Sequence, residues 1–326
     1  MGKTLRIRIL IIALIFVAIT VGAVIGIVFS RDSLTMSAFM YGSGTESDPY
    51  RIYNSTQLLN LQEVTDSSRA SELTKDKHFL LCADIESTRI PRDYGRGFYG
   101  SFDGGGHTIT MQRYGLFYDL RGGATVKNLN FKFNMHSYYN AYALCYNVHE
   151  NAVIANCNAY GNIDVNINKS SGNTTCRMSV FSRYNYGTIR DCTYTGKITK
   201  TGVKFCGQFV VGIISTSDSK DTATVENCTV DCDIDVVIPA YGQFTLFGIS
   251  QRARNCTYNG NIDVRDNPKT YKIAKVNIYG LGTYAAGCTF NGDITAHDMS
   301  RFSRLFVGLT STGDADNTFN GKITDK

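Results

Sequence analysis

Apolar and polar residues alternate through most of the chain beyond residue 124. In Thr188–Thr199 (TIRDCTYTGKIT), every second residue from Cys192 is apolar or small: Cys192, Tyr194, Gly196 and Ile198. The residues between them are polar. A period of two is that of a β-strand, whose successive side chains point to opposite faces. The pattern predicts strands with one face in a core and the other in water.

This alternating unit occurs seven times, at 125–133, 153–165, 188–199, 224–236, 253–264, 285–295 and 315–324. One position in each unit serves as a common reference: Leu129, Cys157, Cys192, Cys228, Cys256, Cys288 and Asn317. Successive spacings are 28, 35, 36, 28, 32 and 29 residues. A unit of that size cannot bury its own apolar face, so the repeat predicts a stacked array.

A second apolar strand precedes each of the later units, as in Phe306-Val307-Gly308-Leu309. Each turn therefore carries at least two strands, with polar and glycine-containing loops between them. Like residues recur once per turn, as a coil of parallel strands requires. A propeller needs about 40 or more residues per blade and fits less well.

The N-terminal region has a different pattern. Residues 9–29 form an uncharged apolar run long enough for a membrane-spanning helix, with Lys3, Arg6 and Arg8 before it. The basic flank predicts that residues 1–8 are cytoplasmic and that the chain beyond a linker at 30–41 is extracellular, at the cell membrane. The alternative is a signal peptide cleaved after Ala38, but the apolar run is longer than such peptides have.

The head and the repeats together resemble bacterial surface proteins that carry GLUG-type repeats on a parallel β-helix. The similarity lies in GSGTESDPYRI at 42–52, GFYGSFDGGGHTI at 97–109 and the Asn/Asp-Cys-x-x-x-Gly-x-Ile stretches such as 191–198. The resemblance implies a parallel β-helix and an adhesin-like surface role, and it supplies no catalytic residues. The sequence thus predicts an all-β chain, with a parallel β-helix (solenoid) at 125–326, a small N-terminal capping segment at 42–124 and a single transmembrane helix before them.

The capping segment contains one predicted helix. Asn54, Ser55 or Thr56 is placed to cap its N-terminus, and four apolar residues would form its buried side: Leu58, Leu59, Leu61 and Val64. Such a helix would cover the first strand edge of the stack, which would otherwise invite aggregation.

Composition narrows the function classes. The net charge is +5, but Lys and Arg are scattered, which argues against a nucleic-acid partner. Ten cysteines in an exported chain suggest disulfides. Five of them share one inward column, where parallel side chains strain a disulfide, so we interpret that column as buried thiols: Cys157, Cys192, Cys228, Cys256 and Cys288. Isolated disulfides are the alternative, and zinc is disfavoured because no CxxC pair occurs.

Two sets of residues are candidates for ligand contact. Asp231, Asp233 and Asp235 alternate on one exposed face, with Asp263 on the next turn. They could hold Ca²⁺ or serve acid–base cleavage of glycosides, although repetition alone also places Asp in columns on a solvated face. Tyr138 and Tyr142 belong to a tyrosine cluster that could stack on sugars or simply form an amphipathic wall.

Asp84, Asp103 and His107 are further acid–base candidates, and the glycine-rich loop at Asp103–His107 could be a catalytic loop or a phosphate cradle. Three consecutive glycines are an ordinary device for a tight turn, and no GK[ST] follows them, so a structural role is favoured.

The leading functional hypothesis is a membrane-anchored binding or adhesion module for an extracellular protein or polysaccharide. A structural surface stalk and a carbohydrate-active lyase or hydrolase on the β-helix face are the alternatives. The residues identify no catalytic group, and no cofactor other than Ca²⁺ is suggested, so the sequence leans away from an enzyme.

Overall fold

The computed structural model describes residues 41–87, 95–112, 115–137, 141–165, 175–200, 208–219, 222–238, 241–267, 272–299, 302, 305–311 and 316–325. This part of the chain is a parallel β-solenoid of about seven turns, with two short helices near its start. The predicted membrane segment at 9–29 lies outside the described residues. Within them, no helix has both the length and the apolar character needed to span a bilayer.

The strands are short and follow one another closely along the chain. The first are β1 Tyr50–Ile52, β2 His78–Leu81, β3 Ile85–Ser87, β4 Ser101–Asp103, β5 Thr108–Met111, β6 Phe117–Leu120, β7 Thr125–Lys127, β8 Asn130–Ser137, β9 Ala141–Tyr142 and β10 Cys145–Val148. The middle turns contain β11 Val153–Ala155, β12 Asn158–Val165, β13 Thr175–Ser179, β14 Ser182–Asn185, β15 Thr188–Arg190, β16 Thr193–Lys200, β17 Gln208–Gly212, β18 Thr224–Glu226, β19 Thr229–Val237 and β20 Tyr241–Phe247. The last are β21 Arg252–Arg254, β22 Thr257–Asn259, β23 Ile262–Arg265, β24 Lys272–Tyr279, β25 Tyr284–Ala286, β26 Thr289–Asn291, β27 Ile294–His297, β28 Leu305–Gly308, β29 Thr318–Phe319 and β30 Ile323–Asp325.

These strands form four sheets, each built from strands of successive turns. Sheet 1 has the order β1-β2-β4-β7-β11-β15-β18-β21-β25, and sheet 3 has the order β28-β24-β20-β17-β13-β9. Sheet 2 follows the order β29-β26-β22-β19-β16-β12-β8-β5-β3 with β23, β27 and β30 beside it, and sheet 4 is the short β14-β10-β6. Pairing is parallel, as the repeat predicts. Sheet 1 reaches back to β1, so the stack extends into the segment predicted as a cap.

The repeat keeps its register from turn to turn. In sheet 2, Tyr194 pairs with Ala159 on one side and Val230 on the other, and all three are fully buried. Tyr258 and Phe290 stack with ring centroids 4.8 Å apart and planes within 1°. That separation is the spacing of neighbouring strands, so aromatic rings at the same position of successive turns stack face to face.

A left-handed residue turns the chain between sheet 1 and sheet 2. It immediately precedes the reference position of each unit and has φ between 51° and 63°: Asn128, Asn156, Asp191, Asn227, Asn255, Gly287 and Asp316. Asn, Asp and Gly are the residues that tolerate this conformation. The Asn/Asp-Cys pair of the repeat is therefore a corner followed by an inward thiol.

The predicted helix at the head is present as α1, Ser55–Asp66, followed by α2, Ala70–Thr74. Asn54 is the N-cap, and its side-chain oxygen accepts a hydrogen bond from the backbone N–H of Gln57. Leu58, Leu61 and Val64 are buried as predicted, whereas Leu59 is only half-buried. Gln62 is buried as well, and its side-chain amide donates to the carbonyl of Leu116, which ties α1 to the stack.

Candidate functional site

The predicted acidic face lies outward on sheet 2, where its side chains bond along the columns. Asp231 lies at the end of a ladder of amide side chains joined by hydrogen bonds. The carboxylate of Asp231 accepts a hydrogen bond from Asn259 at 2.6 Å. Asn259 in turn accepts one from Asn291, and Asn291 accepts one from Asn320, both at 2.8 Å. Asp233 accepts from the backbone N–H of Asn261 at 2.8 Å. These contacts hold neighbouring turns together.

The remaining two acidic residues pair with basic side chains. Arg265 forms ion pairs with both Asp235 and Asp263, the second at 3.7 Å. Asp263 Oδ2 also lies 3.2 Å from His297 Nε2. Within the described ranges, no three His, Cys, Asp or Glu side chains are grouped so that they could hold a metal ion. All four aspartates of the acidic face therefore contact protein groups, Asp231 and Asp233 neutral donors and Asp235 and Asp263 basic side chains.

The tyrosine and glycine-loop candidates have different placements. Tyr138 lies outside the described residues. Tyr142 does not offer an exposed ring for stacking on a sugar: it is only 5% exposed, pairs with Ser179 at the edge of sheet 3 and packs edge-on against Tyr146 at 5.5 Å. In the glycine loop, Asp103 Oδ1 accepts from the backbone N–H of Gly105 and from the side chain of Asn128, which are structural contacts.

The five column cysteines are buried, and all are free thiols. Each thiol donates to the backbone carbonyl two residues earlier, as Cys256 does to Arg254 at 3.2 Å. The backbone N–H of Cys228 and Cys256 donates to the sulfur of the next turn, at 3.3 and 3.4 Å. Asn317, which replaces cysteine in the last unit, keeps this contact: its Oδ1 accepts from the backbone N–H of Cys288 at 2.9 Å.

The clearest departure from the repeat pattern lies on sheet 4. Asp119, in β6, has a side chain only 1% exposed. In sheet 4, Asn147 pairs directly above it and donates through Nδ2 to Asp119 Oδ1 at 2.6 Å. Arg121 donates to Asp119 Oδ2 through Nε at 2.9 Å and also through Nη2, and His149 Nε2 lies 3.3 Å from the same oxygen.

The electrostatics of Asp119 follow from these contacts. Burial raises the pKa of the carboxyl, but the interactions with His149, Asn147 and Arg121 outweigh burial, and the net pKa is lowered. The buried carboxylate is thus charged at neutral pH and fixes three polar side chains around it. A group held in this way has the pre-organisation that binding and catalytic sites need.

Two adjoining hollows open around these side chains, and each has a volume of about 580 Å³. One is lined by Tyr99, Arg121, Gly122, Asn147, His149, Glu150 and Tyr186, and the other by Ser68, Ser71, Gly95, Arg96, Tyr99, Tyr118, Asp119 and Arg121. They share Tyr99 and Arg121, and we call them together the Asp119 cleft. Gly122 is left-handed (φ 58°), and a Cβ there would lie 2.9 Å from the Tyr99 ring, so glycine lets that ring lie against the turn.

Tyrosines extend from the cleft along sheet 4. Tyr118 stacks on Tyr146 with centroids 4.7 Å apart and planes within 10°, and Tyr146 lies 5.6 Å from Tyr184. The guanidinium of Arg183 lies over Tyr146 at 4.7 Å and donates to its hydroxyl at 2.7 Å. On the other side, Tyr186 is 40% exposed and packs near His149, with ring centroids 6.3 Å apart.

The prediction from sequence missed Asp119, although a signal was available. A charged residue stands between Tyr118 and Leu120 in a run that is otherwise apolar or aromatic, FYDL. The spacing of 28 residues from Asp119 to Asn147 equals the first repeat spacing, which places Asn147 one turn above.

No known protein family and no curated protein matches this sequence. Among solved structures, the chain is similar to a crystal structure from Bacteroides ovatus that is provisionally described as an immunoglobulin A1 protease. The two share 17% sequence identity over 89% of each chain, with a TM-score of 0.50. At that identity the likeness shows the β-solenoid fold alone, and the GLUG resemblance stays a prediction.

Proposed function

We propose that this protein is a surface binding module that takes a glycan, free or carried by an extracellular partner, in the Asp119 cleft. The observation that carries the proposal is the combination of aromatic rings with polar groups fixed by a buried carboxylate. Sugars present apolar C–H faces and many hydroxyls, and such a ligand needs both kinds of contact. Tyr186 and Tyr99 supply rings, while Asn147, His149 and Glu150 supply polar atoms.

The acidic face of sheet 2 is less suited to that role. Asp231 and Asp233 already accept hydrogen bonds from the next turn, and Asp235 is paired with Arg265. A ligand there would compete with contacts that hold the turns together. The face still presents polar columns that could add weak contacts to an extended ligand, and each such contact would contribute little.

We further propose that residues 9–29 anchor the protein and that the solenoid lies outside the cell. The basic residues before the apolar run and the resemblance to GLUG-type surface proteins support this orientation. Protease added to intact cells should reduce the protein to a small anchored fragment. Full protection, in cells whose surface the protease reaches, would contradict the orientation.

The binding proposal is tested with the purified full chain and a panel of neutral and acidic polysaccharides. Tyr186→Ala should weaken binding about 3- to 10-fold, which corresponds to roughly 1 kcal/mol of lost ring contact. Tyr284→Ala is the matched control, because Tyr284 is 43% exposed and lies under the guanidinium of Arg252, away from the cleft residues in sequence and outside the cleft lining.

Equal loss of affinity in both variants would show that exposed tyrosines bind the polysaccharide wherever they lie, and that the cleft is not the binding site. The absence of binding to any member of the panel would contradict the proposal and leave the structural stalk as the better account.

A further inference from the structure

Four histidines in the described part of the chain lie close to an aspartate. The separations are similar: His107–Asp84 3.4 Å, His136–Asp164 3.3 Å, His149–Asp119 3.3 Å and His297–Asp263 3.2 Å. What differs is the exposure of the aspartate side chain, which is 72%, 32%, 1% and 38% in that order. The Asp119 pair alone combines a buried carboxylate with a histidine that lines a cleft.

A buried carboxylate beside one imidazole nitrogen fixes the ring and stabilises the protonated imidazole. The carboxylate of Asp119 faces Nε2 of His149, so Nδ1 is the nitrogen available to take a proton. His149 remains 34% exposed, so a ligand can reach it. Asp119 Oδ2 lies 3.3 Å from Nε2 without an aligned hydrogen bond between them, so the carboxylate is placed to orient the ring of a general base once the two groups align.

The other groups in the cleft limit which reaction such a base can serve. Glycoside hydrolysis uses two carboxyl groups that flank the bond. Here Asp119 is buried with both oxygens engaged, which leaves Glu150 as the remaining carboxylate among the lining residues. Arginines and tyrosines are present instead: Arg121 and Arg96 line the cleft, and the hydroxyl of Tyr99 donates to the backbone carbonyl of Arg96 at a long 3.4 Å.

We propose that the Asp119 cleft cleaves uronate-containing glycans by β-elimination, with His149 as the base. The proposal rests on the proposed function, because the same cleft must bind the glycan. Abstraction of the proton next to a carboxylate requires a cation that stabilises the negative charge developing on that carboxylate. Arg96, which lines the hollow adjoining that of His149, and Arg121, whose side chain stays 41% exposed beside its bonds to Asp119, are the cations that the cleft offers. The substrate class is therefore a polysaccharide with 4-linked uronic acids.

The step balances without water or an oxidant. His149 Nδ1 takes the proton from C5 of the uronate, and that electron pair forms the C4=C5 double bond. The C4–O bond to the neighbouring sugar breaks, and the leaving oxygen receives the proton of the Tyr99 hydroxyl. The products are an unsaturated uronate end and a free sugar hydroxyl. The proton on His149 then returns to Tyr99 through solvent.

The test incubates the full chain with uronate polysaccharides and measures binding, unsaturated ends by ultraviolet absorbance and total reducing ends. His149→Asn should lower turnover about 100-fold or more while the dissociation constant changes less than about threefold. His297→Asn is the matched control, since it removes a histidine that lies 3.2 Å from an aspartate outside the cleft, and its turnover should stay at the wild-type level. Tyr99→Phe removes only a hydroxyl and should lower turnover with the fold intact, so it supports the proposal even if His149→Asn does not fold.

The outcomes separate the inference from the proposed function. Binding without any new ends would overturn the elimination and leave the binding module. New reducing ends without unsaturation would indicate hydrolysis and would also overturn it. Equal loss of turnover in His149→Asn and His297→Asn would show that the Asp119–His149 pair has no specific role in the reaction. The absence of binding would contradict both proposals.

Discussion

Asp119 is charged and almost completely buried, and burial alone would make it destabilising. Three side chains offset that cost, two by donating to its oxygens and His149 by lying 3.3 Å from one of them. Removal of the negative charge leaves those side chains without their common partner. The residue that builds the cleft is thus also a stability element of the first turns.

We therefore expect Asp119→Asn to lower the free energy of unfolding by about 1–3 kcal/mol at pH 7. The folded pKa of Asp119 lies below the unfolded value of 3.8, so its contribution is present above that pH and is lost as the pH falls through the folded pKa. The difference between wild type and variant should narrow below about pH 4. Urea titrations across that range measure it, and a difference that widens on acidification would contradict the assignment.

The thiol column provides a second residue-scale prediction. Burial raises the pKa of Cys192, and the thiol of Cys228 raises that of Cys256 to about 12, whereas hydrogen bonds from Cys192 and Cys256 lower the pKa of Cys228. All five side chains are at most 1% exposed, so burial shields the whole column from a reagent. A thiol reagent should leave the column unlabelled in the folded chain and label at least five cysteines after unfolding without reductant. Fewer than five labelled thiols would mean that disulfides form.

Cys157→Ala tests how tightly the thiol column is packed. We expect a loss of about 1 kcal/mol from the small cavity, with no change in oligomer pattern on non-reducing gels. A loss near zero, measured by denaturant unfolding, would show that the column is loosely packed.

At the scale of elements, the corner between sheet 1 and sheet 2 explains the sequence signature of the repeat. The corner residue must be left-handed, which costs most residues about 1–2 kcal/mol. The next residue points inward, where a small thiol fits. The alternation alone predicts the strands, but the corner shows why Asn or Asp precedes cysteine in turn after turn.

Asn255→Ala should therefore destabilise the solenoid by about 1 kcal/mol, because alanine at φ 52° is strained. Asn255→Gly is the matched control and should cost less, since glycine adopts this conformation freely and Gly287 already does so one turn later. Thermal unfolding of the two variants decides the question, and an equal cost would indicate that the amide side chain matters more than the backbone.

At the scale of the whole molecule, much of the fold could be predicted from sequence and little of the site. Repetition fixes register, so the inward positions of Tyr194 and Tyr258 and the outward position of Asp233 all follow from one alternating pattern. The Asp119 cleft forms where sheet 4 and the turns beside it depart from that pattern. Its residues come from four successive turns and from the helical segment before them, and their proximity depends on loop paths that periodicity does not encode.

Tyr142 shows the same limit. Tyr142 stands in the apolar segment AYALCY at 141–146, but a tyrosine there is as compatible with an exposed wall as with a buried one, and the packing around β9 decides which occurs. Its burial moves the candidate aromatic surface to Tyr118, Tyr146 and Tyr186. The sequence predicts that a tyrosine cluster near this turn could stack on a ligand, but it does not show which of these rings are exposed to solvent.

The central claim is that a glycan binds in the Asp119 cleft and not on the repetitive face of sheet 2. Hydrogen–deuterium exchange of the full chain, with and without a polysaccharide that binds, tests this most directly. We predict slower exchange in β6, β10 and the segment around Tyr186, with β19 unchanged. Protection confined to β19 and its neighbours in sheet 2, with the cleft strands unaffected, would contradict the account.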